Sequence, residues 1–180
     1  MLIERDKSCL LIVDVQEKLA PAVADPAGVI RNARILIRAA TRLAVPVVVS
    51  EQYPQGLGPT VPELRGLVAD SARISKLSCS CAADPILQQR VKDTRRPLLV
   101  IGGLEDHVCV LQSALGFQQA GFKTFVVADA VSSRAPGNRE MALRRMAENG
   151  VELVTTEMVV FEWLGQAGTP EFKELSRLIK

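Results

Sequence analysis

Residues 97–117 read PLLVIGGLEDHVCVLQSALGF. An apolar run enters Gly102 and Gly103, three polar residues (Glu105, Asp106, His107) come next, and Cys109 stands where an apolar pattern of helical spacing begins. A run with no polar face reads as a strand buried on both sides, the mark of a parallel sheet covered by helices on both faces. The glycines and the helical pattern behind it read as the turn and helix of a strand–helix unit.

The same alternation continues in both directions. Upstream, SCLLIV at 8–13 is a first apolar strand, VIRNARILIRAATRLA has helical spacing, and PVVVS from Pro46 is a second strand. EQYPQGLGPTVPEL, with three prolines and two glycines, reads as a loop. ARISK is a short third strand, and a helix spans Asp84 to Lys92 before the fourth strand, PLLVIGG. Downstream, a helix over 107–120 ends at Gly121, FKTFVVAD is a fifth strand, a helix runs from Asn138 to Glu148, VELVT is a sixth strand, and amphipathic helices finish the chain. The pattern predicts one α/β domain over residues 1–180, a three-layer Rossmann-like sandwich with no internal repeat, low-complexity tract or linker.

Bulk composition narrows the function classes. Apolar content of 48% and charged content of 23% suit a buried core. With 22 basic and 20 acidic residues the net charge is +2, which gives no electrostatic case for a nucleic-acid partner. No apolar stretch approaches the roughly 18–20 residues of a membrane span, and the N-terminal MLIERDKSCLLIVD lacks the basic start and long apolar run of a signal peptide. The expectation is a cytoplasmic protein with no membrane partner and reduced thiols at Cys9, Cys79, Cys81 and Cys109, whose spacing matches no zinc pattern.

In parallel α/β sheets, sites form beyond the carboxyl ends of strands. Asp14 follows the first strand, Ser50 and Glu51 end the second, Lys76 ends the third, Glu105, Asp106 and Cys109 follow the fourth, and Asp129 follows the fifth. Position alone leaves Asp14 either a cap or a working carboxylate. Cys109 is either a small core residue or a nucleophile. With Asp106 as the helix cap, Cys109 falls in the first turn, where free N–H groups and the helix dipole favour thiolate and could hold an oxyanion. A Cys–His pairing is disfavoured, because the lone histidine, His107, precedes Cys109 by two positions and helical geometry turns the two apart by about 200°. A proton from Cys109 would then go to a carboxylate, with Asp14 and Lys76 the available pair.

Those residues, in that order, resemble the isochorismatase-like cysteine hydrolases. The likeness is carried by LLIVDVQEKL, SEQYPQGLGPTVPEL, GGLEDHVCVLQSALGFQQAGFKTFVVADAVSSR and the tail TTEMVVFEWLGQAGTPEFKELSRLIK, and is nearest to the isochorismatase-domain-containing subgroup. The resemblance implies a six-stranded parallel sheet ordered 3-2-1-4-5-6. It implies Asp14 as general base, Lys76 as second member and Cys109 as nucleophile. It also implies a cis peptide at Leu104–Glu105 and an oxyanion hole from the backbone N–H groups of Glu105 and Cys109.

Two departures refine the expectation. Nicotinamidases of this superfamily bind a metal through histidines after the second strand, and EQYPQGLGP has none, so neither metal nor cofactor is expected. Isochorismatases that cleave a vinyl ether lack the cysteine, so Cys109 favours hydrolysis of an amide, urea or carbamate-like C–N bond in a small molecule. The alternatives are vinyl-ether hydrolysis and a non-catalytic, flavodoxin-like binding or scaffold module. Gln16 either orients substrate or bonds loop backbone, and Tyr53 either walls the pocket or is a surface aromatic. Glu105 and Asp106 stand where many members have Thr-Asp, and an acid at the mouth would repel anionic substrates. Cys79 and Cys81 read as structural, and DAVSSR as a loop organiser. The run Val159, Val160, Phe161, Trp163, Leu164 predicts a buried face in a homodimer or larger assembly.

Overall fold

Apolar runs that no single helix could cover on both sides become the middle of a sheet. In the computed structural model, which describes residues 1–179, the strands are β1 (Ser8–Val13), β2 (Val47–Gln52), β3 (Arg73–Lys76), β4 (Leu98–Leu104), β5 (Lys123–Ser132) and β6 (Glu152–Val154). They pair in parallel in the order β3-β2-β1-β4-β5-β6, the order the resemblance implies. β1 and β4, at the centre, are buried at every position.

Alternation along each strand builds two cores. Leu10 and Ile12 of β1, Val100 of β4 and Phe125 of β5 face one side with α1 (Pro26–Arg42). Cys9, Leu11 and Val13, with Leu99, Ile101 and Val126, face the other. After two four-residue turns, α2 (Pro54–Leu57) and α3 (Pro62–Arg65), each opened by a proline, α4 (Pro85–Asp93) and α5 (Leu111–Gln119) cover the second side, joined by α6 (Pro136–Glu148). The C-terminal α7 (Thr156–Leu164) and α8 (Pro170–Ile179) return to the first.

Four expectations are corrected by local physics. Helix α1 starts three residues earlier than its apolar spacing, because the Asp25 carboxylate accepts from the Gly28 N–H and Pro26 suits the first turn. The 51–64 stretch is not all loop, since its prolines nucleate α2 and α3. β5 runs three residues past Asp129, because that side chain points outward to accept from Thr156 N–H and Oγ, at 2.8 and 2.9 Å, and leaves the strand intact. Finally, Val159, Val160, Trp163 and Leu164 are buried within the chain itself, so α7 offers no large free apolar face; Phe161 is partly exposed and packs on Phe172. Among the described residues no helix is long and apolar enough to cross a membrane.

Candidate active site

β1 ends at Val13, and Asp14 turns the chain out of the sheet with φ 51°, a left-handed conformation that aspartate tolerates better than most residues. Its N–H still donates to the Ser50 carbonyl at 3.1 Å, so the turn is tied to β2. The side chain is wholly buried. Oδ1 accepts from Ser50 Oγ and Oδ2 from Lys76 Nζ, both at 2.7 Å.

Lys76 is the last residue of β3, two strands from Asp14. Its buried ammonium also donates to Gln52 Oε1 at 2.6 Å and lies 3.2 and 3.3 Å from the carbonyl oxygens of Ser78 and Cys79. Burial works most strongly against its charge, but the Asp14 carboxylate together with Cys81 and Cys109 outweighs burial and lifts the lysine above its ordinary range. A buried ion pair with its hydrogen bonds filled in this way is an arrangement a low-dielectric interior tolerates.

Cys109 arrives from the neighbouring strand. At the end of β4, Gly103 has φ 133°, and an added Cβ there would lie 2.0 Å from the Val13 carbonyl oxygen. Only glycine lets β1 and β4 close up at this point. The Leu104–Glu105 peptide is cis, and residues Asp106–Val110 form a π-helical turn before α5. The N–H groups of Val108 and Val110 both donate to the Glu105 carbonyl, each at 3.2 Å. Single π turns recur at functional sites.

The structure corrects two points about this turn. Glu105, not Asp106, is the cap residue, and the Asp106 carboxylate instead accepts from Ser133 Oγ. The Cys109 thiol is not held as a thiolate. At 7% exposure, burial pushes its ionisation well above the usual thiol range, and the Asp14 charge adds to this against the pull of Lys76. Asp14, Lys76 and Cys109 thus share one buried electrostatic environment.

The other residues singled out in the sequence fall as follows. Glu105 is buried, and its carboxylate accepts from Arg134 Nε at 2.8 Å and Arg134 N–H at 3.2 Å, so its charge is neutralised rather than presented at a mouth. His107 Nδ1 lies 2.8 Å from Ser133 Oγ. Gln16 spends its amide on backbone: the nitrogen donates to the carbonyls of Gln52 and Gly58 at 2.9 and 2.7 Å, and the oxygen accepts from Gln52 N–H at 2.7 Å. Tyr53, half exposed, lines a cleft of about 580 Å³ with Ser75, Lys76, Leu77 and Ser78.

Three neighbours of the site were given no part in it by the sequence, although Ser50 had been placed at a strand end and Cys81 read as structural. Ser50 and Gln52 hold Asp14 and Lys76, and their signal was available, since β2 lies between β1 and β3 and its end must fall between the two charges. The buried Cys81 lies against Ser50 and Ser113 beside Asp14, with its thiol pushed up to about 11 by burial and then by the Asp14 charge. Among the described residues no group of three or more His, Cys, Asp and Glu is placed to hold a metal ion.

Residues 8–158 match the isochorismatase domain. The chain belongs to the isochorismatase family. Within the family it sits with the isochorismatase-domain-containing proteins. It is 39% identical over 176 residues to isochorismatase domain-containing protein 2 of Macaca fascicularis, covering 96% of this chain and 83% of that protein. Among solved structures it is similar to the MAR1 ribonuclease of Caenorhabditis elegans (TM-score 0.92, 36% identity, 99% of this chain and 92% of that one). It is also similar to the YcaC gene product of Escherichia coli, an octameric hydrolase of unknown specificity (TM-score 0.93, 27% identity, 99% and 90% coverage). Family membership supports a hydrolase of the isochorismatase-like superfamily.

Proposed function

We propose that this chain is a metal-independent cysteine hydrolase that cleaves a C–N bond of a small amide, urea or carbamate through a thioester. The observation that carries the reading is the buried Asp14 carboxylate, held on one oxygen by Lys76 and on the other by Ser50, with the buried Cys109 thiol within reach of its charge. A base next to a protonated thiol is an activating arrangement, provided that proton transfer accompanies attack.

Asp14 takes the proton as sulfur attacks the carbonyl carbon. The N–H groups of Glu105 and Cys109 receive the oxyanion. The tetrahedral adduct collapses, the C–N bond breaks, and Asp14 returns its proton to the leaving nitrogen. Water, deprotonated by Asp14, then attacks the thioester, and that proton goes to the departing Cys109 sulfur. Acid and amine leave, and the thiol is regenerated. Lys76 keeps the carboxylate oriented and favours the charged species.

The burial of all three side chains disfavours a polynucleotide backbone as substrate, although the worm relative is called a ribonuclease. Like the octameric relative, this chain is expected to self-assemble. The test is a screen of small amides, ureas and carbamates against wild type, Cys109→Ala and Asp14→Asn. The expected result is at least one substrate turned over by wild type, with loss of about 10³-fold or more in both variants, the scale of combined nucleophile and base chemistry. Turnover surviving in Cys109→Ala would remove the thioester from the mechanism.

A further inference from the structure

The segment that follows β5, Ser133-Arg134, has no part in that mechanism, yet it grips every polar side chain of the nucleophile turn. β4 and β5 leave the sheet side by side, with Leu104 opposite Ser132. Just beyond, Arg134 donates from both backbone and side chain to the Glu105 carboxylate. Ser133 donates its hydroxyl proton to Asp106 Oδ1. With that proton spent, the 2.8 Å contact to His107 must be donated by Nδ1–H. Two consecutive residues thus bind three consecutive ones, and the fourth and fifth beyond the cis bond are Val108 and Cys109.

We infer that Ser133 and Arg134 are positioning residues, which set the turn carrying Cys109 against Asp14 from the end of β5. This rests on Cys109 being the reacting thiol. The grip has one sensitive point. Asp106 is wholly buried and its Oδ2 has no hydrogen-bond partner. Burial pushes its carboxyl up to about 6. The charged groups facing it are Arg139 from α6, with Nε 3.9 Å from Oδ2, and His107 and Glu105 from its own turn. Protonated on the free Oδ2, Asp106 keeps Oδ1 as an acceptor but loses the charge that strengthens the Ser133 bond, so the hold on the turn weakens. Asparagine is neutral at every pH and removes that dependence.

The test is site-resolved alkylation by iodoacetamide, read by peptide mass spectrometry on the full chain. The exposed Cys79 serves as internal reference. Measured in the same sample at each pH, Cys79 corrects for the reagent and for the general pH dependence of an exposed thiol, so the ratio isolates what changes at Cys109. At pH 7, Ser133→Ala is expected to lower the Cys109/Cys79 ratio at least fivefold, Ser133→Thr to restore it to within twofold, and Arg134→Gln to lower it at least twofold. The wild-type ratio is expected to fall threefold or more between pH 7 and 5, and the Asp106→Asn ratio to stay flat. A wild-type ratio that is flat in pH, or Ser133→Ala and Arg134→Gln both within twofold of wild type, would overturn the assignment. If Ser133→Ala does not fold, the Arg134→Gln ratio and the wild-type pH series decide. Absence of any amide turnover would sink the hydrolase reading while leaving these ratios to judge the positioning role.

Discussion

Asp106 shows how much a single buried carboxylate can matter away from the chemistry. Its carboxyl lies near 6 in the fold, against 3.8 for a free aspartate, with burial as the main cause. Below about pH 3.8 it is protonated in both folded and unfolded chains and costs nothing. As pH rises through the window from 3.8 to 6, the unfolded chain ionises first, and wild type loses stability, by up to about 3 kcal/mol once above it. Asp106→Asn should therefore match wild type near pH 4 and exceed it at pH 8, by about 1–3 kcal/mol in urea unfolding. A difference that does not change with pH would show that the carboxyl is not strained by burial. Ser133 is the compensating partner. The sequence showed that a serine lay there but not that it faced Asp106, because that depends on two strands far apart in the chain running out of the sheet in step.

At the scale of elements, the strands were legible because a central parallel strand has no wet face, so β1 and β4 appear as unbroken apolar runs. The places of Asp14 and Cys109 beyond such runs were legible for a related reason, and Lys76 as the end of the short, partly polar β3; the roles expected of them came from the resemblance alone. What was not legible depended on neighbours in space. The last three residues of β5 were hidden by Asp129, which looks like a strand end until its bond to Thr156 is seen. The supports Ser50 and Gln52 depend on β2 lying between the two charges. Gly103 belongs to the same class: its role is visible only when β1 is packed on it. In Gly103→Ala, the new Cβ would meet the Val13 carbonyl oxygen at 2.0 Å, and the φ of 133° is unfavourable for alanine. Because that backbone leads straight into Asp14, the variant is expected to lose about 2 kcal/mol or more of stability. It should also lose Cys109 alkylation rate, by a larger factor than an equally destabilising core truncation such as Leu87→Ala. Equal alkylation in the two variants would show that β1 and β4 can part without disturbing the site.

At the scale of the whole molecule, the chain buries the apolar residues of α7 and leaves others outside. Leu77, Ile86 and Tyr53 are 77%, 66% and 51% exposed. Leu77 and Tyr53 flank the cleft at Lys76, and Ile86 lies in the first turn of α4 next to it. Three large apolar side chains this exposed around one opening mark a surface that gains by being covered. Light scattering at micromolar concentration is expected to give a mass above the 19.5 kDa of one chain. Leu77→Asp should lower it, whereas Phe161→Asp, on the opposite core layer, should not. A monomeric wild type, or equal effects of the two substitutions, would remove the cleft rim from the assembly.

Because all six strands run the same way, the molecule has one end where chemistry gathers and one that is free for other uses. β4 alone spans seven residues from Leu98 to Leu104, about 20 Å of sheet. The Gly121 turn, where an added Cβ would meet nothing within 4 Å, lies at the far end, just before β5 begins. A peptide tag or a fluorescent reporter spliced between Gly121 and Phe122 is expected to leave the Cys109 alkylation rate within twofold of the parent. The same splice between Ser132 and Ser133 should abolish the distinction between Cys109 and Cys79, making the polarity of the sheet a practical guide to where this chain can be tethered, labelled or reopened.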